Sequence, residues 1–163
     1  MRGADLSMAT TMSTGEDPLS QDRKNPVEPL EVTEGVASPD ERARLNLLPG
    51  DTVYCIRRIR RHGNRIVLVE NVRLPAKLFP SPLDCSDVSD ISTLAKEYDL
   101  LLGQAVERIS STLASDSVAN ALHIVVGTPV VQLDRIVHLR DGQPAEWRTA
   151  YGVDSEKWSR LLS

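Results

Sequence analysis

Residues 52–73, TVYCIRRIRRHGNRIVLVENVR, decide the fold of this chain. The first ten of them are rich in β-branched and aromatic side chains, and Ile66 to Arg73 resumes that composition with a run of valines. The trio His62, Gly63 and Asn64 between the two halves is typical of a turn. The stretch therefore predicts a β-hairpin.

Further strand and helix patterns follow this hairpin along the chain. The predicted elements are a loop over Leu74 to Pro82, a helix over Val88 to Tyr98, a strand over Ala105 to Leu113, a helix over Asp116 to His123, and strands over Val130 to Leu139 and Ala145 to Val153. The last two strands flank Asp-Gly, a strong hairpin signal. This order favours an α+β fold, with helices packed on one face of a mostly antiparallel sheet.

The amino-terminal segment has a different composition. Met1 to Asp40 mixes Ser, Thr, Gly and acidic residues with four prolines, and it shows neither a helical nor a strand period. The first 44 residues hold nine acidic and five basic side chains, while the remaining 119 hold fourteen of each. We therefore expect residues 1–42 to be a disordered acidic tail and residues 43–163 to be the folded domain. A short helix over Arg42 to Leu48 leads into it.

Several function classes are excluded by composition and motif. A body without excess positive charge argues against a sequence-independent nucleic-acid surface. The two cysteines are too few for a disulfide framework, and the three histidines have no metal-ligand spacing around them. No catalytic motif, cofactor motif or apolar run as long as a membrane span is present. We expect a cytoplasmic protein without metal, cofactor or membrane contact.

Arg135 is the most informative single residue, because residues two apart in a strand share a face. Its companions on that face are Val131, Leu133, Val137 and Leu139. A buried guanidinium is tolerated only when it is paired or hydrogen-bonded. Arg135 therefore needs either a glutamate on a neighbouring strand or a bound anion.

Four arginines in the first hairpin strand divide between its two faces, with Arg58 and Arg60 on one and Arg57 and Arg61 on the other. Only one pair can face a pocket, and two guanidinium groups two residues apart suit one phosphate or carboxylate. A solvated face is the alternative for all four. Glu70 lies among apolar companions, as the partner of an arginine or as an acceptor for a ligand's hydroxyl or amine groups.

From Ala43 onward the order of these features resembles the UTRA domain, the ligand-sensing half of HutC-type bacterial regulators of the GntR family. Three stretches carry the resemblance: ARLNLLPGDTVYCIRRIRRHGNRIVLVENVRLP, DISTLAKEYDLLLGQAVERISSTLAS and ALHIVVGTPVVQLDRIVHLRDGQPAEW. The resemblance implies a chorismate-lyase-like fold, a homodimer, and the binding of a small anionic effector such as a sugar phosphate or a carboxylate. It implies regulation of transcription without catalysis.

The resemblance also implies which residues contact the effector. Arg58 and Arg60 match the anion-gripping Arg-x-Arg strand, and Glu70 matches a ligand contact ten residues later. The further matches are Arg135, Glu146, Tyr151, and a serine at the start of the first helix, which is Ser89 or Ser92. Glu146 and Tyr151 lie five apart on one strand, so they face opposite ways unless a bulge intervenes.

The chain departs from the family pattern in three places. Tyr98 is followed by Asp99 where the family tends to have Gly, and the last strand reads AYGVDSEKW where the family prefers more Tyr and Arg. Residues 1–44 do not read as the winged helix-turn-helix of HutC-type regulators. We expect contact with DNA only through a partner or a missing winged helix-turn-helix. An enzyme of the chorismate lyase type and a pairing-only module without ligand remain as alternatives.

Overall fold

A computed structural model of the chain describes residues 8–12, 27–80 and 91–153. The strands are β1 (Met8–Met12), β2 (Val27–Val36), β3 (Thr52–His62), β4 (Arg65–Pro75), β5 (Leu102–Leu113), β6 (Pro129–Leu139) and β7 (Pro144–Gly152). The helices are α1 (Pro39–Leu45), α2 (Ile91–Glu97) and α3 (Asp116–Leu122). From β3 onward the described elements follow the predicted order of hairpin, helix, strand, helix and hairpin.

The strands form one sheet in the order β1-β5-β6-β7-β4-β3-β2, and all of their pairings are antiparallel. Both predicted hairpins are present, as β3 with β4 and as β6 with β7. Strand β7 also pairs with β4, which places the two hairpins side by side in the middle of the sheet. An antiparallel sheet with helices packed on it is the predicted α+β fold.

One face of the sheet, here called the inner face, is covered by α2. Helix α2 buries Ile91 and Leu94 in a cluster with side chains from five strands. The buried members of this cluster are Tyr54, Ile56, Val72, Leu74, Phe79, Ile91, Leu94, Ala105, Val137, Leu139 and Ala145. A smaller apolar cluster lies farther along the same strands and consists of Leu68, Ile109, Leu133 and Ala150.

The opposite face of the sheet, here called the outer face, carries α1 and α3. Leu45 of α1 packs in a cluster with Val53, and Trp147 lies against that cluster. Helix α3 packs Val118 and Leu122 into a separate cluster on β3 and β4. The prediction that the helices share one face is therefore wrong. Helical periodicity identifies an apolar stripe, but it does not say which side of a sheet the stripe meets.

Two strands lie within the stretch that was predicted to be a disordered tail. Strand β2 pairs with β3 at one edge of the sheet, and β1 pairs with β5 at the other. The prediction of disorder is wrong for residues 8–12 and 27–36. Residues 31–36 are exposed except for the half-buried Val32, so the sequence of β2 has no two-residue apolar period to reveal it. Pro29 lies next to a register shift in β2, and an edge strand tolerates proline there.

Helix α1 begins at Pro39, three residues before the predicted start. The Ser38 hydroxyl accepts a hydrogen bond from the backbone N–H of Glu41, and the Glu41 carboxylate accepts one from the Ser38 N–H. This capping box satisfies two backbone donors at the helix start. Within the described ranges, no helix is long and apolar enough to cross a membrane.

Candidate functional site

Seven charged side chains are buried on the inner face, between its two apolar clusters. They are Arg58, Arg60, Glu70, Glu107, Arg135, Glu146 and Arg148, and together they are called the inner charged cluster. Each is at most 5% exposed. Lys, Arg, Asp and Glu are almost never fully buried unless they are paired, so this density of buried charge makes the inner face the candidate site.

Strand register explains why these residues meet. Arg58 of β3 lies opposite Glu70 of β4. Arg135 of β6 lies between Glu107 of β5 and Arg148 of β7. Because side chains directly opposite each other on neighbouring strands share a face, pairing alone brings charges from five strands into one band.

Ion pairs connect most of the inner charged cluster. The Glu70 carboxylate lies 3.0 Å from Nε of Arg58 through Oε1 and 3.7 Å from Nε of Arg148 through Oε2. Nη2 of Arg148 donates a hydrogen bond to Oε2 of Glu146 at 3.3 Å. Nε of Arg135 lies 3.5 Å from Oε1 of Glu107. Of the two alternatives stated for Arg135, a neighbouring glutamate or a bound anion, the structure shows a glutamate, Glu107.

Glu70 combines close ion pairs with unused acceptor capacity. Its two carboxylate oxygens are buried, and neither receives an aligned hydrogen bond within the described part of the chain. The 3.0 Å contact with Arg58 is thus an electrostatic contact without good hydrogen-bond alignment. A buried acceptor left in this state costs free energy, which a donor group on a ligand would recover.

Burial perturbs the titration of two members of the inner charged cluster. It lowers the pKa of Arg148 to about 10, because desolvation disfavours the charged guanidinium. Burial raises the pKa of Glu107, and the nearby Arg135 offsets part of that effect. In both residues, burial on the inner face shifts the pKa in the direction that disfavours the charged form.

The structure brings five of the predicted contact residues together on the inner face. These five are Arg58, Arg60, Glu70, Arg135 and Glu146. Ser92 is partly buried and belongs to α2, the helix that covers this face. Tyr151 lies on the outer face, opposite Gln132 and Val69, as its spacing from Glu146 predicted. Ser89 lies outside the described residues.

Two members of the inner charged cluster, Arg148 and Glu107, were not singled out from the sequence. Arg148 stands two residues after Glu146, so a strand places the two side chains on one face. Glu107 alternates with Ala105 and Ile109 in the same way. The two-residue alternation of a strand therefore indicated which face each residue occupies. The pairing of β5, β6 and β7 was needed to show that the two residues lie near each other.

The chain is therefore a small α+β domain: an antiparallel sheet with helices packed on it and charged side chains buried on one face. The chain belongs to the UTRA domain family, which it matches over residues 20–155. The resemblance seen in the sequence is confirmed, and the match extends farther toward the amino terminus than the resemblance did.

Individual relatives agree with the family. An HTH-type transcriptional regulator of Mycobacterium tuberculosis is 36% identical over 100 residues, which are 58% of this chain and 37% of that protein. A GntR-family transcriptional regulator of Bacillus cereus has the same fold, with a TM-score of 0.72 and 20% identity over 80% of this chain and 92% of that one. The effector domain of PhnF from Mycobacterium smegmatis has a TM-score of 0.71 and 18% identity, over 79% of this chain and 80% of that one. The family and the fold neighbours are domains of transcriptional regulators.

Proposed function

We propose that the inner charged cluster binds a small anionic effector, and that the domain senses this effector for a HutC-type transcriptional regulator. The observation that carries the proposal is the concentration of buried guanidinium groups: among the described residues, four arginines are buried on the inner face together with three glutamates. Strongly perturbed, buried ionisable groups concentrate at functional sites. Guanidinium groups match the oxygens of a phosphate or carboxylate, and carboxylates accept hydrogen bonds from hydroxyl or amine groups.

We assign each side chain a role from its chemistry and from the family resemblance. Arg58 and Arg60 stand two residues apart on β3 and hold the anionic group, because guanidinium forks match phosphate and carboxylate oxygens. Glu70 and Glu146 accept hydrogen bonds from hydroxyl or amine groups on the effector. Arg135 supplies a further positive charge. A serine near the start of α2, Ser89 or Ser92, adds a hydroxyl contact.

Effector binding requires the inner face to open, because every member of the inner charged cluster is at most 5% exposed. Helix α2 packs on the apolar cluster that adjoins the inner charged cluster on this face. An effector that binds the open form better than the closed form shifts the population between them. In a homodimer this shift changes the arrangement of the two subunits, and a DNA-binding domain or partner then reads the change. The protein works in the cytoplasm and performs no chemistry on its effector.

A thermal-shift screen tests the proposal. The purified chain is melted with sugar phosphates, small carboxylates and inorganic phosphate, alongside the variants Arg60→Gln and Arg108→Gln. A ligand at a hundred times its dissociation constant adds about 2.7 kcal/mol, or several degrees for a chain of this size. We expect at least one compound to stabilise the wild type and Arg108→Gln, because Arg108 is an exposed arginine of β5.

The same compound should stabilise Arg60→Gln less than it stabilises the wild type, each measured against its own melting temperature without ligand. Arg60→Lys keeps the charge but loses the guanidinium fork, so we expect weakened binding rather than none. If no compound stabilises the folded wild type, or if the shift is equal in wild type and Arg60→Gln, the inner charged cluster is not the effector site.

A further inference from the structure

The outer face contains a cavity of about 550 Å³ between α1 and α3, here called the outer groove. Its floor is a line of side chains that register places across four neighbouring strands. Arg57 of β3 lies opposite Asn71 of β4, Asn71 opposite Thr149 of β7, and Thr149 opposite Asp134 of β6. These four residues all line the cavity. The sheet lies between the outer groove and the inner charged cluster, and Glu70 of β4 is the one member of that cluster that also lines the cavity.

The wall next to α1 is a fixed ionic frame around Trp147. The Arg73 guanidinium lies 4.1 Å from the centre of the indole ring, and that of Arg44 lies 5.4 Å from it. Oδ1 of Asp134 accepts a hydrogen bond from Nε1 of Trp147 at 2.9 Å, and Oδ2 lies 3.2 Å from Nη2 of Arg44. Arg73 donates to Oγ1 of Thr149 at 3.3 Å and lies 3.5 Å from Oε2 of Glu41. These contacts hold the wall in one geometry.

Among the described residues, the ion pairs of this frame engage Arg44 and Arg73 but not Arg57. Arg44 and Arg73 are balanced by Asp134 and Glu41, and Arg57 is the additional guanidinium of the lining. Arg57 is exposed on the outer face, where its guanidinium is open to a ligand in solution. Cross-strand pairing places Glu31 of β2 beside Arg57, outside the cavity lining.

The remaining polar lining suits hydroxyl groups. Asn71 and Gln132 carry amides that both donate and accept, and Ser115, Ser117 and Tyr151 carry hydroxyls. The ring of Tyr151 offers apolar surface to a carbon skeleton. A volume of about 550 Å³ lies within the range of small-molecule sites, about 300–1,000 Å³. One cation among amides and hydroxyls matches a small molecule with one anionic group and several hydroxyls.

We propose that the outer groove is a second ligand site, which takes a small hydroxylated anion such as a sugar acid or a sugar phosphate. Arg57 binds the carboxylate or phosphate, and Asn71 and Gln132 bind hydroxyls. The ligand contacts Arg44 of α1 on one side and the serines beside α3 on the other, so it ties both helices to the sheet. The site is independent of the effector proposed for the inner face.

Trp147 gives a direct readout of this site. The chain has two tryptophans, so Trp158→Phe leaves Trp147 as the only one. In that background we would titrate gluconate, glucose 6-phosphate, inorganic phosphate and neutral glucose while following tryptophan emission. We expect a saturable change with gluconate or glucose 6-phosphate, at least tenfold weaker binding of inorganic phosphate, and no change with glucose. The better of the two probes identifies carboxylate or phosphate as the preferred anion.

Variants decide where the probe binds. Arg57→Gln should weaken binding at least tenfold, while Arg140→Gln, at an exposed arginine that does not line the outer groove, should leave binding unchanged. Arg60→Gln in the same titration tests whether the signal comes from the inner charged cluster instead. No saturable change with either probe, or equal binding by wild type and Arg57→Gln, would overturn the proposal. A signal lost in Arg60→Gln and kept in Arg57→Gln would also overturn it, while supporting the inner charged cluster as the effector site.

Discussion

At the scale of single residues, Arg148 links two buried glutamates of the inner charged cluster. Its guanidinium contacts Glu70 on β4 and Glu146 on its own strand. Paired buried charges are close to neutral in their net effect on stability, whereas removing one partner leaves an uncompensated charge in the interior. Removing Arg148 should therefore lower the free energy of unfolding by much more than its ion pairs contribute to stability in the intact cluster.

Replacing Arg148 with methionine tests this reading. We expect Arg148→Met to lower the free energy of unfolding in urea by about 3–5 kcal/mol, because Glu70 and Glu146 lose a buried partner. Arg140→Met changes an exposed arginine in the β6–β7 turn and should stay within about 0.5 kcal/mol of wild type. Equal effects of the two substitutions would show that the buried carboxylates do not depend on Arg148.

Glu107 makes stability depend on pH in a defined direction. Burial raises its pKa from the ordinary value of 4.5, so the folded protein binds this proton at a higher pH than the unfolded chain does. As pH falls through the raised pKa toward 4.5, the wild type should gain stability relative to Glu107→Gln, and the gain should level off below 4.5. Urea unfolding of both proteins across this pH range measures it. A difference that stays constant with pH would contradict the shift.

The sequence identified residues of the site better than it identified their contacts. Arg135 was predicted to face inward because its strand companions are apolar, whereas Arg58 and Arg60 were assigned to the site by the family resemblance, and all three are buried. Arg148 and Glu107 follow the same alternation, but their importance arises from pairing with Arg135 across three strands. Contacts between distant parts of the chain are not encoded in a local period, so they required the structure.

At the scale of elements, both hairpins and all three helices were predicted near their observed positions, because each has a local signal. The strand pattern of β3 and β4 surrounds a turn at Gly63, whose φ of 61° suits glycine. Strand β2 and the start of α1 were not predicted from local period. Their positions depend on pairing with β3 and on the capping box at Ser38.

The attachment of α1 to the sheet can be measured with two leucines. Leu45, at the end of α1, is 0% exposed, whereas Leu48 is 69% exposed three residues later. We expect Leu45→Ala to cost about 2–5 kcal/mol of stability, since it leaves a cavity against Val53. Leu48→Ala should change stability by less than about 0.5 kcal/mol. Similar losses in both variants, by urea unfolding, would contradict the packing of α1 described here.

At the scale of the whole molecule, the family match begins nearer the amino terminus than the domain boundary that composition predicted. The family match begins at residue 20, β2 completes one edge of the sheet, and Ala37 is buried beside Leu45. We propose that the domain begins before β2. The acidic composition of this stretch is as compatible with an exposed edge strand as with a disordered tail.

Two truncations test this boundary. A chain that begins at residue 21 keeps β2, Ala37 and the whole of α1, and we expect it to unfold in one cooperative transition. A chain that begins at residue 43 loses β2, the cap at Ser38 and a buried alanine. We expect it to be less stable by more than about 2 kcal/mol. If the shorter chain is as stable as the longer one, the boundary lies at residue 43 after all.

The central claim is that the inner charged cluster binds an anion, and a crystal structure of the chain with a compound from the thermal-shift screen tests it most directly. The account predicts that the anionic group lies on the inner face, within hydrogen-bond distance of the guanidinium groups of Arg58 and Arg60. It also predicts that α2 moves away from that face. An anion bound elsewhere, with the seven charged side chains still buried against one another, would contradict the claim.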